Sequence, residues 1–187
     1  MKVDRNGKAA ALSAEQFMAL LETSSPRYRC LWAIQRFTAA RISEALALTW
    51  ADVACQQVTF RKATTKTKST RQVPQSAALQ AELAAYRLAW AAEHGHEPVA
   101  GEVLFPGAGS TTSPQTRQAA DLALRKYCAR LNLVGVSLHS FRRTAAQQAV
   151  ANGHALHVVQ KLTGHKSLGS LGEYLQASEA EVLAAIG

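Results

Sequence analysis

Two imidazoles, a guanidinium and a phenol recur at short intervals near the end of the sequence, within residues 138–175 (LHSFRRTAAQQAVANGHALHVVQKLTGHKSLGSLGEYL). His139 and Arg142 stand three apart at the start of a helix-like run, so their side chains share one face. Gly164-His165 follows an apolar run, and Tyr174 lies nine residues beyond that histidine. Such groups suit attack on a phosphodiester without a metal. The guanidinium neutralises phosphate charge, the imidazoles move or hold protons, and the phenol is a nucleophile that needs local help to ionise.

Upstream, ARISEALALTW carries Arg41 ahead of Ser43-Glu44, and a basic stretch holds Arg61, Lys62, Lys66, Lys68 and Arg71 with no acid among them. Any one of these charges alone reads as a solvated surface group. Tyr174 alone reads as a core residue, His139 as a helix cap and His165 as a turn residue. The joint pattern is what carries information.

The 187 residues suit one domain with a core of its own. A formal net charge of +8 favours a polyanionic partner, nucleic acid before an anionic membrane surface. No apolar run approaches the roughly 20 residues of a membrane span, and MKVDRNGKAA lacks a signal core, so a cytoplasmic protein is expected. Cys30, Cys55 and Cys128 are too scattered for a disulfide framework or a zinc site. His154 and His157 have no acid or cysteine to complete a metal site. No metal and no cofactor is expected.

Residues 1–12 read as a frayed arm or linker remnant, and 13–187 as the functional domain with a tail helix. Ser13 with Gln16 signals a capping box before Phe17, Leu20 and Leu21. Ser25-Pro26 opens a second helix bearing Cys30, Ala33, Ile34 and Phe37. ARISEALALTW reads as a third, ending near residues 50–52. QQVTFRKAT and TRQVPQ, around a polar TKTKS turn, predict a hairpin. Helical spacing returns at Leu79, Leu83, Tyr86 and Trp90 behind Ser76. Ser113-Pro114 is read as opening the helix of Ala120, Leu124, Tyr127 and Leu131. SEAEVLAAIG closes the chain as a short amphipathic helix. The class is mainly α with a small antiparallel β-sheet.

Taken together, ARISEALALTW, the TKTKSTRQVP hairpin, LHSFRRT, LTGHKS and Tyr174 resemble the catalytic domain of the tyrosine recombinases, the phage integrase family. The resemblance runs from about Leu12 to Tyr174. It implies a tyrosine recombinase catalytic-domain-like fold and metal-independent DNA strand cleavage and rejoining through a 3′-phosphotyrosyl link. Arg41 matches the first active-site arginine. Lys66 matches the hairpin lysine, eight residues before Pro74. His139 and Arg142 match the His-x-x-Arg box, His165 the Gly-His box and Tyr174 the nucleophile. The expected roles are phosphate clamping by Arg41 and Arg142, proton acceptance by His139, proton donation by Lys66 and a phosphate hydrogen bond from His165. Glu44 is expected to orient Arg41 or His139 from behind. Arg61, Lys62, Lys68, Arg71 and Arg143 are expected DNA contacts. Departures from the family pattern are Ala40 before Arg41, Arg143 where many members have His, and Gln176 where a His often stands. Members usually carry a helical DNA-binding domain in front, which twelve residues cannot form; a fragment or a minimal stand-alone relative is expected. The implied partners are double-stranded DNA and further protomers, as a tetramer on DNA, the acidic tail docking on a neighbour or on its own domain. A nicking-closing enzyme of type IB topoisomerase kind and a catalytically idle DNA-binding module are the alternatives.

Overall fold

The computed structural model describes residues 9–65, 69–165 and 167–172, together with 183 and 186. The elements run α1 (Ala14–Thr23), α2 (Pro26–Thr38), α3 (Ile42–Leu46), a 3-10 turn (Trp50–Val53), β1 (Gln57–Phe60), β2 (Arg71–Pro74), α4 (Ala77–His94), α5 (Arg117–Arg130), α6 (Ser140–Ala151), α7 (Leu156–Thr163) and α8 (Leu168–Gly172). The fold is mainly helical with one two-stranded antiparallel sheet.

Helix α2 is the centre of the molecule. Cys30, Leu31, Trp32, Ala33 and Ile34 are all fully buried, five consecutive residues that go all the way round the helix axis, so its middle turn is enclosed while Arg27, Arg29 and Arg36 lie only partly buried near its ends. Trp32 stacks on Phe141 of α6, ring centroids 5.1 Å apart, and on Tyr28 on its other side. The buried Gln35 donates to the Leu138 carbonyl, so the α2–α6 contact is polar as well as aromatic. These contacts fix α6 against the end of α2, where the candidate chemistry gathers. A second aromatic group, Trp50, Tyr86, Trp90 and Phe105, ties α4 to the 3-10 turn and the loop before α5.

Two of the expected caps form, while Ser25 stands at the start of α2 without a side-chain cap bond. Ser13 and Gln16 form a reciprocal capping box, Ser76 caps α4, and Gly95 ends α4 in the left-handed conformation that glycine adopts without strain. In the hairpin, Val58 pairs with Val73 and Phe60 with Arg71. Val58 and Phe60 point inward, as period-two alternation requires.

Three expectations are corrected. ARISEALALTW is not one helix: α3 ends at Leu46, and the chain then bonds sideways. Leu104 N–H donates to the Leu48 carbonyl, and Trp50 N–H to the Glu102 carbonyl. Asp52 accepts from the Thr49 backbone and hydroxyl and starts the separate 3-10 turn. Ser113-Pro114 does not open α5 either. Residues 113–115 run against 105–107, with Gln115 N–H donating to the Phe105 carbonyl, and Thr116 is the cap. The end of the N-terminal arm is docked, not frayed: Leu12 is buried, its N–H bonds Thr144 Oγ1 at 2.8 Å, and Ala10 N–H bonds the Gly135 carbonyl. Of the expected tail helix, only Leu183 and Ile186 are among the described residues; both are helical and exposed.

The last helices rest on a smaller apolar cluster of their own, Ala146, Val159 and Leu171. The run from His139 onward is broken at Asn152 and Gly153, where Gly153 turns with a φ of 78°.

Candidate active site around Arg41, Arg142 and His165

The site is built on the end of α2. Thr38 closes that helix and Ala39 follows in the left-handed conformation, φ 53° and ψ 27°, uncommon for a residue with a Cβ. The reversal aims the Thr38 and Ala39 carbonyls at arginines from other elements and delivers Arg41 to the start of α3.

Arg41 immediately precedes α3, and Glu44 lies one turn on. The Glu44 carboxylate, 1% exposed, accepts from the Arg41 backbone N–H at 2.9 Å and from its Nη1 at 2.8 Å. Arg41 keeps 21% of its side chain exposed. One carboxylate thus grips both the backbone and the guanidinium of Arg41.

Arg142 lies in the first turn of α6 and is 1% exposed. Its Nη1 donates to the Ala39 carbonyl at 2.7 Å, and its Nη2 stands 3.1 Å from Nε2 of His165. Arginine has donors and no acceptor, so His165 Nε2 must accept. The ring proton is then on Nδ1, 2.8 Å from Thr163 Oγ1, and the Thr163 hydroxyl donates onward to the Val159 carbonyl at 2.8 Å. Burial, then the charges of Arg142 and Arg41, hold the His165 pKa down at about 4 against the pull of Glu44. A neutral imidazole is what this relay needs. In this arrangement the His165 Nε2 lone pair faces Arg142.

His139 is the N-cap of α6 and is exposed. Arg143, beside Arg142, is half-buried. Of the hairpin bases, Arg61 is half exposed and pairs with Asp52 at 3.0 Å, and Lys62 is exposed in the turn after β1. Lys66, Lys68 and Tyr174 lie outside the described residues. Arg71 departs from the expected outward base, because its side chain is turned inward and only 11% exposed. Nη1 donates to the Thr38 carbonyl at 2.8 Å and the Leu162 carbonyl at 2.6 Å, Nη2 lies 3.5 Å from Glu44, and the guanidinium covers the Phe60 ring at 4.2 Å. Burial lowers its pKa to about 10, with Glu44 acting against the shift, so it stays charged at neutral pH.

Gly164 ends α7 with a φ of 67°. A Cβ there would lie 3.2 Å from Arg71 Cδ, so both backbone and packing ask for glycine. A cleft of about 480 Å³ opens beside the site, lined by Thr70, Gln72, His157, Lys161 and His165 among others. Sequence reasoning did not single out Thr163 or the carbonyls of Thr38 and Ala39. Thr163 had a faint signal, a hydroxyl two residues before the Gly-His histidine; a backbone carbonyl has none.

The fold has counterparts among known proteins. The family model described as the phage integrase family matches residues 10–181. The chain belongs to the phage integrase family. No curated protein sequence matches it. Solved structures similar to this integrase-family chain include the XerH site-specific recombinase bound to palindromic difH substrate in a post-cleavage complex, with a TM-score of 0.76 and 23% identity over 98% of this chain and 54% of that one. XerA recombinase is similar at a TM-score of 0.76 and 18% identity, over 96% of this chain and 65% of that one. The catalytic domain of bacteriophage HP1 integrase gives a TM-score of 0.63 and 21% identity, over 96% of this chain and 94% of that domain. The integrase-family chain thus spans about half the length of the XerH chain, and its fold is that of a tyrosine recombinase catalytic domain. Among the described residues, no helix is long and apolar enough to cross a membrane.

Proposed function

We propose that this chain is the catalytic part of a site-specific DNA recombinase or integrase, cleaving and rejoining strands of double-stranded DNA through a covalent 3′-phosphotyrosyl intermediate. The observation that carries the reading is the meeting of Arg142 and His165, over a hundred residues further along the chain, with the end of α2 and the Arg41 that follows it.

In this mechanism Arg41 presents its fork to a non-bridging oxygen of the scissile phosphate. Arg142, from beneath, adds a second fixed positive charge where negative charge develops. Tyr174 Oη attacks phosphorus, its proton passing to His139. The P–O5′ bond breaks, the phosphotyrosyl bond forms, and the departing 5′-oxygen takes a proton from Lys66. Attack by a 5′-hydroxyl reverses each transfer and rejoins a strand. The phosphate ester count is unchanged, so no nucleotide is consumed. Positioned guanidiniums supply the neutralisation that a divalent ion supplies elsewhere. His165 acts through Arg142 and Glu44 through Arg41. Arg61, Lys62, Lys68 and Arg143 are assigned to the DNA backbone, which the net charge of +8 supports.

Self-association accompanies the activity. Leu183 and Ile186, three apart on a helix, are 66% and 78% exposed, an apolar pair that suits docking on a neighbouring protomer of a tetramer on DNA.

The test is a suicide-substrate DNA whose cleaved strand cannot rejoin. A covalent protein–DNA adduct with the natural chain, absent in Tyr174→Phe, supports the assignment. Binding without an adduct would make the chain an idle DNA-binding module, and relaxation of plasmids without paired sites would make it a nicking-closing enzyme.

A further inference from the structure

We propose that Arg71 is a positioning residue, one guanidinium that sets the placement of Arg41 and His165 together. This role presupposes the strand-transfer activity proposed above. Arg71 opens β2, opposite Phe60, and lies over that ring. Its Nη1 bonds the last carbonyl of α2, Thr38, and a carbonyl in the last turn of α7, Leu162. A cation at a helix C-terminus meets the negative end of the dipole and satisfies carbonyls with no partner in the helix. Here one cation does so for two helices.

Each partner of Arg71 adjoins a residue of the site. Thr38 precedes Ala39, whose carbonyl holds Arg142. Leu162 lies three residues before His165, and the Arg71 stem packs tightly over Gly164, its Cδ 3.2 Å from where a Cβ would stand. Glu44, which reaches Arg71 Nη2 at 3.5 Å, is the carboxylate that holds Arg41 at 2.8 Å. A guanidinium spans these acceptors because its donors diverge in a plane. An ammonium is a point charge on a flexible stem and cannot meet two helix ends and a carboxylate while covering a ring. With only 11% of its side chain exposed, Arg71 is also poorly placed to neutralise a DNA phosphate, unlike Arg61 and Lys62.

The experiment compares the full chain with Arg71→Lys and Arg71→Met. The His165 ring signal, assigned by loss in His165→Asn, is titrated by NMR without DNA. Adduct formation is measured in single turnover at saturating suicide substrate, and DNA affinity as a function of salt. In the natural chain His165 should titrate at about 4, with Arg142, Arg41 and Glu44 as the charged groups facing it. In Arg71→Met it moves up by about a unit or more as the end of α7 loosens. The adduct rate falls about a hundredfold in both variants, the scale of an ångström-level displacement, while affinity and its salt slope stay unchanged. Lys retains the charge and most of the packing, so it decides the matter if Met costs the fold. An unmoved His165 signal with unchanged rates would overturn the proposal. So would a salt slope shallower by about 0.9 with a normal rate at saturation, since that marks a lost phosphate contact. If the natural chain forms no adduct, the strand-transfer activity is what fails, and the His165 titration still decides whether Arg71 positions that ring.

Discussion

Nη2 of Arg142 donates to Nε2 of His165 across 3.1 Å, so the imidazole is an acceptor towards the guanidinium and a donor towards Thr163. Protonation of His165 would set two cations against each other. The folded-state pKa of about 4 lies below the ordinary histidine value of 6.5, so the unfolded chain takes the proton first. Stability from this group is therefore complete above about pH 6.5, declines as pH falls towards 4, and changes no further below it. Urea midpoints between pH 4 and 7 should fall with pH in the natural chain and fall less steeply in His165→Gln. Parallel slopes would show that His165 is not held neutral.

Glu44 stands between two arginines and is 1% exposed. Glu44→Ala leaves the Arg41 and Arg71 charges facing each other without a counter-ion. Breaking a buried pair from one side costs about 3–5 kcal/mol, discounted here because Arg41 is partly exposed. Denaturant unfolding should show a loss of roughly 3 kcal/mol, with a smaller loss in Arg41→Ala, which removes the more exposed partner.

Arg142→Ala should lower adduct formation by at least about a hundredfold, the scale of losing one preorganised transition-state donor. It should also cost stability, because the Ala39 carbonyl and His165 lose their buried donor, worth about 1–3 kcal/mol. Arg41→Ala should lower cleavage as much with less effect on melting. Equal adduct yield from either variant would remove that arginine from the site.

Adduct formation should persist in EDTA, because the proposed mechanism assigns charge neutralisation to guanidiniums and not to a metal ion. Binding should weaken steeply with salt, as counterion release requires. A quenched reaction in EDTA, restored by a divalent ion, would require a different mechanism.

Leu183→Asp with Ile186→Asp should leave the melting temperature within a degree or two, since both side chains are exposed. The same pair should reduce multi-protomer complexes on DNA in gel shifts or analytical ultracentrifugation. A large loss of melting temperature would mean the apolar pair packs on its own domain.

Much of this architecture was legible from local chemistry. Ser13 and Gln16, Ser76 and Gly95 mark helix ends through bonds to near neighbours, and the Val58–Phe60 alternation marks a half-buried strand. The errors came where distant backbone intervened. Nothing near Leu48 announces that the Glu102–Leu104 segment will take its hydrogen bonds, and nothing near Pro114 announces the pairing with Pro106. The site shows the same division. Arg41, Arg142 and His165 stand out only through the joint motifs that resemble the family, and their neighbours do not stand out at all. Arg71 looks like any base in a basic hairpin until Phe60, Thr38 and Leu162 surround it. The Ala39 carbonyl, which holds Arg142, belongs to no side chain.

Among the described residues, Ala146, Val159 and Leu171 form an apolar island apart from the main core, and α7 meets that main core at Leu162 and through the polar hold of Arg71. Few buried contacts of this kind make a segment that opens sub-globally, ahead of the rest. Amides of α7 and α8 will then exchange with solvent deuterons well before those around Trp32. His165 can then leave Arg142 in an excursion that never disturbs α2, so the candidate site comes apart at a fraction of the cost of unfolding the chain.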